Sequence, residues 1–139
     1  MGRGRSLLAG DPRLKSILDT HFLIWIVTGS HRIEEHPWLE RYRPWGVSPV
    51  SFLEIKFLDE IGRLELQPQG FVDRVGGDPR FVVDEAPLVA LVRHAMPLEW
   101  TRDPFDRLLA AHSASRRVPL CSVDQTIRAH HRYLPEEMR

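Results

Sequence analysis

Apolar residues along this chain come in short runs, and their periods and flanking residues predict alternating strands and helices. Lys15-Ser16-Ile17-Leu18 reads as a short buried strand ending at Asp19. The run Phe22-Leu23-Ile24-Trp25-Ile26-Val27 fits strand or helix by period alone. Asp19-Thr20 can cap a helix and Gly29 can stop one, so a helix is expected there. A short helix is expected over Glu34–Arg41 and a second strand over Gly46–Ser48. Ser48-Pro49 joins a capping hydroxyl to a proline at the first helical position, which predicts a helix running to Ile61 and ended by Gly62. Its apolar side reads as Val50, Leu53, Phe57, Leu58 and Ile61.

The same reading predicts helices over Gln69–Val75, Pro87–His94 and Asp103–Ser115, and strands over Phe81–Val83 and Pro119–Val123. Asp124 opens a last helix toward His130. Strands alternating with helices imply the α/β class, a three-layer α/β/α domain with a central parallel sheet and helices on both faces. The expected organisation is a loose N-terminal extension over 1–13, the domain over 14–134, and a polar C-terminal tail over 135–139.

Composition adds bounds. The 139 residues suit one domain with a core, and 42% hydrophobic with 27% charged residues is ordinary for a globular chain. Lys+Arg and Asp+Glu are both 19, so net charge does not mark a basic nucleic-acid binder. The basic side is almost all arginine, with lysine only at positions 15 and 56. Arginine forks suit phosphate and carboxylate, although GC-rich coding gives the same bias. The lone Cys121 forms no internal disulfide and reads as a small core residue, which fits a reducing compartment. No apolar run approaches about 18 residues, and the first residues lack a signal-peptide core. A cytoplasmic protein is expected.

Candidate chemistry lies in four carboxylates, Asp19, Glu54, Asp106 and Asp124. Asp19 and Asp124 follow strands, and ligands of open parallel sheets gather beyond the carboxyl ends of the strands. Asp106 is on the first turn of its helix. Glu54, four residues from both Val50 and Leu58, sits in an apolar stripe, where an acid is costly without a partner or a task. If the strands are parallel neighbours, all four acids converge on one edge. Grouped carboxylates suit Mg²⁺ or Mn²⁺, which take hard oxygen ligands and neutralise charge on a transferring phosphate.

Plainer readings stand beside these. Asp19 and Asp124 also read as helix caps, Asp106 with Asp103 as a capping-box arrangement, and Glu54 as half of a buried salt bridge. Asp103 before Pro104 reads as an N-cap. Thr20 and Ser122 either orient the neighbouring acids or make local turn bonds. His21 either touches the site or packs in the core. Arg63, Arg102 and Arg107 are candidates for phosphate contacts or solvated charges. Histidine and cysteine spacing gives no zinc pattern, and no glycine-rich phosphate loop is present.

Five segments in order carry a resemblance: Ile17-Leu18-Asp19-Thr20-His21, Ser48 to Ile55, Gly62-Arg63-Leu64-Glu65-Leu66, Arg102 to Ala111, and Leu120-Cys121-Ser122-Val123-Asp124. Together they resemble a PIN-domain ribonuclease of the VapC toxin type over roughly residues 15–130. The resemblance implies an Mg²⁺- or Mn²⁺-dependent endonuclease acting on RNA, with Asp19, Glu54, Asp106 and Asp124 as the acidic site. It also implies a small antitoxin partner covering that site, and a homodimer. The chain departs from the pattern in its longer N-terminal extension and in Cys121, which stands where an apolar residue is usual. A catalytically weak module that binds RNA or an antitoxin is the competing reading. A receiver-like phosphoacceptor needs an adjacent acidic pair and a placed lysine, and with lysine only at 15 and 56 the fit is poor.

Overall fold

A computed structural model describes residues 10–64 and 68–139. Its centre is a parallel four-stranded sheet formed by β1 (Ile17–Leu18), β2 (Trp45–Val47), β3 (Phe81–Val83) and β4 (Leu120–Cys121), in the order β3-β2-β1-β4. Register is set by Ile17 opposite Gly46 and Leu120, Leu18 opposite Cys121, and Trp45 opposite Phe81. Gly46 is required where β1 and β2 meet, because a Cβ there would run into the Ser16 carbonyl oxygen. The strands are shorter than the sequence implied over 15–18 and 119–123, because the ladder between β1 and β4 joins only Ile17 to Leu120 and Leu18 to Cys121.

The chain proceeds from β1 to β2 and β3 on one side, and β4 returns to the other side of β1. The strand order therefore reverses at β1, and the crevice beyond the carboxyl ends of β1 and β4 is where open α/β sheets bind ligands.

Helices cover both faces. Along β1, Leu18 faces a cluster containing Phe22, Leu23, Ile55, Phe71 and Phe81, whereas Ile17 faces another built from Leu109, Leu120, Ile127, Leu134 and Met138. The first draws on α1 (Thr20–Thr28), α2 (Pro49–Glu60) and α3 (Pro68–Gly76); the second on α5 (Pro104–Arg116) and α6 (Gln125–His130). Helix α4 (Leu88–Ala95) packs on α5. The molecule is an α/β/α sandwich, as the alternating elements imply. Among the described residues, no helix is long and apolar enough to cross a membrane.

Several local expectations change. The helix expected over Glu34–Arg41 is two 3₁₀ segments, His31–Glu35 and Pro37–Tyr42, broken at His36. Proline at 37 disfavours a helical conformation in the residue before it. On α2 the buried face is not the apolar stripe. The face turned inward is Ser51, Glu54, Ile55 and Leu58, while Leu53, Phe57 and Ile61 are 65%, 44% and 47% exposed. The polar tail expected over 135–139 belongs to the fold, since Met138 is buried beneath β4 and meets the Ser122 amide through its sulfur. Of the extension over 1–13, residues 1–9 lie outside the described residues, and Asp11 is buried and paired with Arg13 at 2.7 Å.

Trp45 lies fully in the core with its indole N–H donated to the Leu39 carbonyl, and Trp38 and Trp100 are partly buried beside the clusters. A second buried polar system ties the layers together. His112 of α5 lies 2.8 Å from Ser48 Oγ and 2.7 Å from Asp84 Oδ2, which also accepts the Arg116 Nε–H at 2.7 Å. Ser48 caps α2 through the Val50 amide, so this network fixes where α2 begins.

Candidate active site

Beyond the carboxyl ends of β1 and β4 lies a cleft of about 400 Å³, with Asp19, Glu54, Asp106 and Asp124 all on its walls. Each acid arrives from a different element. Asp19 is the single residue between β1 and α1, with extended backbone, and caps α1 by accepting the Thr20 amide at 2.7 Å. Asp124 closes the turn after β4 and caps α6 by accepting the Ile127 amide at 3.0 Å. Glu54 comes from the second turn of α2, held inward by the i, i+4 geometry that also buries Leu58. Asp106 lies on the first turn of α5, whose N-cap is Asp103, accepting the Phe105 and Asp106 amides at 2.8 and 3.3 Å. Asp19 and Asp124 are therefore caps and cleft residues at once; the two readings do not compete, because a carboxylate oxygen has more than one lone pair.

The hydroxyls hold this arrangement. Ser122 donates its Oγ–H to Asp19 Oδ2 at 2.5 Å and accepts the Asp124 amide at 2.9 Å, so one side chain fixes both acids. Thr20 serves a different acid from the neighbour that the sequence suggested. Its hydroxyl donates to Glu54 Oε1 at 2.5 Å and lies 3.0 Å from Ser51 Oγ. Asp106 accepts no side-chain hydrogen bond among the described residues.

Electrostatics in the cleft favour a proton or a cation. Burial pushes the Glu54 carboxyl up to about 7, against the Thr20 hydrogen bond and helped by the charges of Asp19 and Asp103. Burial, followed by the charges of Asp103, Asp19, Glu54 and Asp124, raises Asp106 to about 7. Asp19 is raised by burial as well, with the Ser122 hydrogen bond the largest opposing influence. Desolvation and like charge act together here, as they do when carboxylates share a site.

The donor set consists of hard oxygens, partly dehydrated and mutually repelling, which is the chemistry a small divalent cation neutralises. Among the described residues, no three His, Cys, Asp or Glu side chains stand close enough to form a ready-made ion cage. Mg²⁺ commonly takes one or two carboxylates and keeps several waters, so the acids fit such an ion without a closed cage.

The arginine candidates separate. Arg63 stands on the cleft wall just past α2. Arg107 is tied by its Nε–H to the Thr101 carbonyl at 2.7 Å, and neither Arg107 nor the exposed Arg102 lines the cleft. His21, one of whose readings was a core residue, is exposed and lines the cleft. Sequence reasoning missed Trp25 and Arg32, which also line it, the guanidinium lying 5.3 Å from the indole centre. The available signal was spacing: Trp25 is four residues beyond His21 on α1 and shares its face. Phe57 and Phe105 form the apolar wall, their rings 5.6 Å apart.

Compared with models of known protein families, the chain matches none of them. No curated protein matches it either.

Proposed function

We propose that the chain is a metal-dependent endoribonuclease of the PIN type, a VapC-like toxin that hydrolyses RNA phosphodiester bonds and is held inactive by a small antitoxin. The observation that carries this reading is the convergence of Asp19, Glu54, Asp106 and Asp124, from separate parts of the chain, on one cleft at the point where strand order reverses. Asp19, Asp106 and Asp124 would hold Mg²⁺ or Mn²⁺, with Glu54 assisting. When bound, such an ion supplies positive charge to the phosphate and makes water more acidic.

The side chains supply the rest. Glu54 Oε1 is engaged by Thr20, which leaves Oε2 for the ion or for a proton; its pKa of about 7 belongs to the metal-free cleft and would fall beside a bound cation. Asp106, raised to about 7 in the metal-free cleft, would release its proton on taking up the ion. Arg63 and Arg32 on the rim offset the repulsion between an acidic floor and a phosphate backbone, positioning RNA without reading its sequence. The exposed face of Leu53, Phe57 and Ile61 adjoins the cleft and suits an antitoxin that covers it. The exposed Leu88, Val89, Val92 and Met96 around α4 suit a homodimer contact.

A second reading, a catalytically weak module binding RNA or an antitoxin, is favoured by the absence of a ready-made ion cage among the described residues. Cleavage of RNA with Mg²⁺ or Mn²⁺, with EDTA, and by identically purified Asp19→Asn protein separates the two. Loss of cleavage with both EDTA and the substitution supports the nuclease. RNA binding by both proteins without metal-dependent cleavage supports the binding module. Equal cleavage by both proteins removes the acidic cleft as its source.

A further inference from the structure

Two adjoining cavities of about 320 and 370 Å³ open at the amino-terminal end of β4, the far end of the sheet from the acids. They share Arg117, Arg132 and Tyr133. In the smaller, Trp100 and His130 stack with ring centres 5.8 Å apart and planes 12° from parallel. The Arg132 guanidinium lies 5.3 Å over the Tyr133 ring. Neither Arg117 nor Arg132 makes an ion pair among the described residues. The acid on these walls, Glu136, faces Arg41 at 3.9 Å. A chain of zero net charge thus gathers unneutralised guanidinium groups and flat rings in one place.

Arg117 adds an independent observation. It ends α5 in the left-handed conformation, φ 56° and ψ 41°, and is the one non-glycine residue with positive φ among the described residues. Glycine is the usual occupant of this helix-ending position because it has no Cβ to clash. The backbone gains nothing from arginine there; what arginine adds is a guanidinium on the wall of both cavities. Strained backbone of this kind clusters at binding sites, where side-chain placement offsets the strain.

We propose that this basin binds single-stranded nucleic acid, with a phosphate on Arg117 and Arg132 and a base against the Trp100–His130 stack or Tyr133. Guanidinium forks match phosphate oxygens, and every base offers a flat face to an aromatic ring, so cationic grooves with interleaved aromatics hold unpaired strands. The site lies apart from the acidic cleft and stands whether or not that cleft cleaves RNA.

The test uses the full chain in EDTA, titrated with a short single-stranded RNA, with adenosine monophosphate and with inorganic phosphate. Wild type is compared with Arg117→Gly, Arg132→Ala and, as a control at the cleft, Arg63→Ala. The strand binds wild type, and Arg117→Gly weakens it roughly fivefold or more and lowers the slope of log affinity against log salt by about one. Because glycine suits the left-handed position, the melting temperature of Arg117→Gly equals or exceeds that of wild type, which separates lost binding from lost folding. Adenosine monophosphate binding as tightly as the strand, and weakened equally by Arg117→Gly, overturns the assignment to a strand, since nothing beyond one nucleotide is then held. Strand affinity unchanged in Arg117→Gly and Arg132→Ala, affinity lost only in Arg63→Ala, or inorganic phosphate binding as tightly as the strand, overturns the proposal.

Discussion

Ser122 reaches Asp19 across 103 positions of sequence and donates a 2.5 Å hydrogen bond to its Oδ2. The bond stabilises the charged form of a carboxyl that burial drives the other way. It also makes the Asp19 geometry depend on the turn that carries Asp124, whose amide the same hydroxyl accepts.

Ser122→Ala therefore raises the Asp19 pKa further and, on the proposed nuclease reading, moves the acid limb of cleavage to higher pH. At pH 6 the rate falls about tenfold or more, and at pH 9 most of it returns. A pH profile of kcat/KM measures this; a drop of equal size at all pH values would show that Ser122 only supports the fold.

Glu54 and Asp106 yield a stability prediction of opposite sign to the usual carboxylate. Their folded values, about 7, lie above the unfolded ones, so the proton is held more tightly in the folded state. Stability from this source is present below the unfolded values, near 4, and is lost as pH rises through about 7. Without divalent metal, Glu54→Gln and Asp106→Asn should each raise stability at pH 8, by roughly 1–3 kcal/mol for Glu54 and less for the half-buried Asp106, where solvent screens the charge; on the proposed reading each also abolishes cleavage. Denaturant melts at pH 5 and pH 8 check it, and the gain should shrink when Mn²⁺ is added to wild type.

Asp84 is the opposite case. Burial raises its pKa, but His112 and Arg116 outweigh burial and hold it below the ordinary value. Its contribution is present above the unfolded carboxylate range and is lost as pH falls through the folded value. Asp84→Ala leaves a buried guanidinium without this carboxylate and should cost roughly 3–5 kcal/mol. Because His112 also bonds Ser48, the α2 cap, amide exchange at the start of α2 should accelerate more than in α6.

His131 has its pKa lowered by burial to about 4. Ser113 uses its own hydroxyl proton on the Val118 carbonyl, so His131 Nε2–H is the donor in the 2.9 Å contact between them. The unfolded chain takes up a proton near pH 6.5 that the folded chain refuses until about 4, so stability declines through that interval. His131→Gln keeps an N–H donor and should flatten the decline between pH 6.5 and 4. Urea midpoints at half-unit steps test this; parallel curves for the two proteins would refute it.

Much of the framework was legible because caps and stops are local. Asp19, Gly29, Ser48-Pro49 and Asp103-Pro104 mark ends of helices through bonds within a few residues. The face of α2 was not legible. Val50, Leu53, Phe57 and Ile61 satisfy helical spacing as well as Ser51, Glu54, Ile55 and Leu58 do, and apolarity favours the first set. The turn of α2 was decided by partners far away in sequence, Thr20 against Ser51 and Glu54. The same distance hid Arg32 and Trp25 from the site reading, since the cleft wall they share arises only when α1 and the following turn fold beside α2. The C-terminal residues misled for a simpler reason: polar neighbours masked Met138, the residue that inserts.

The parallel pairing of β1 with β4 has a consequence for timing. Growing from its amino end, the chain completes β1, β2, β3 and α5 while Asp19 still lacks Ser122 and the cleft still lacks Asp124. The four-acid cleft is thus completed by one late event, the insertion of β4 at the sheet edge. Until β4 is made the cleft is unfinished, an interval in which, on the proposed reading, an antitoxin seated on α2 would meet the acids before RNA does.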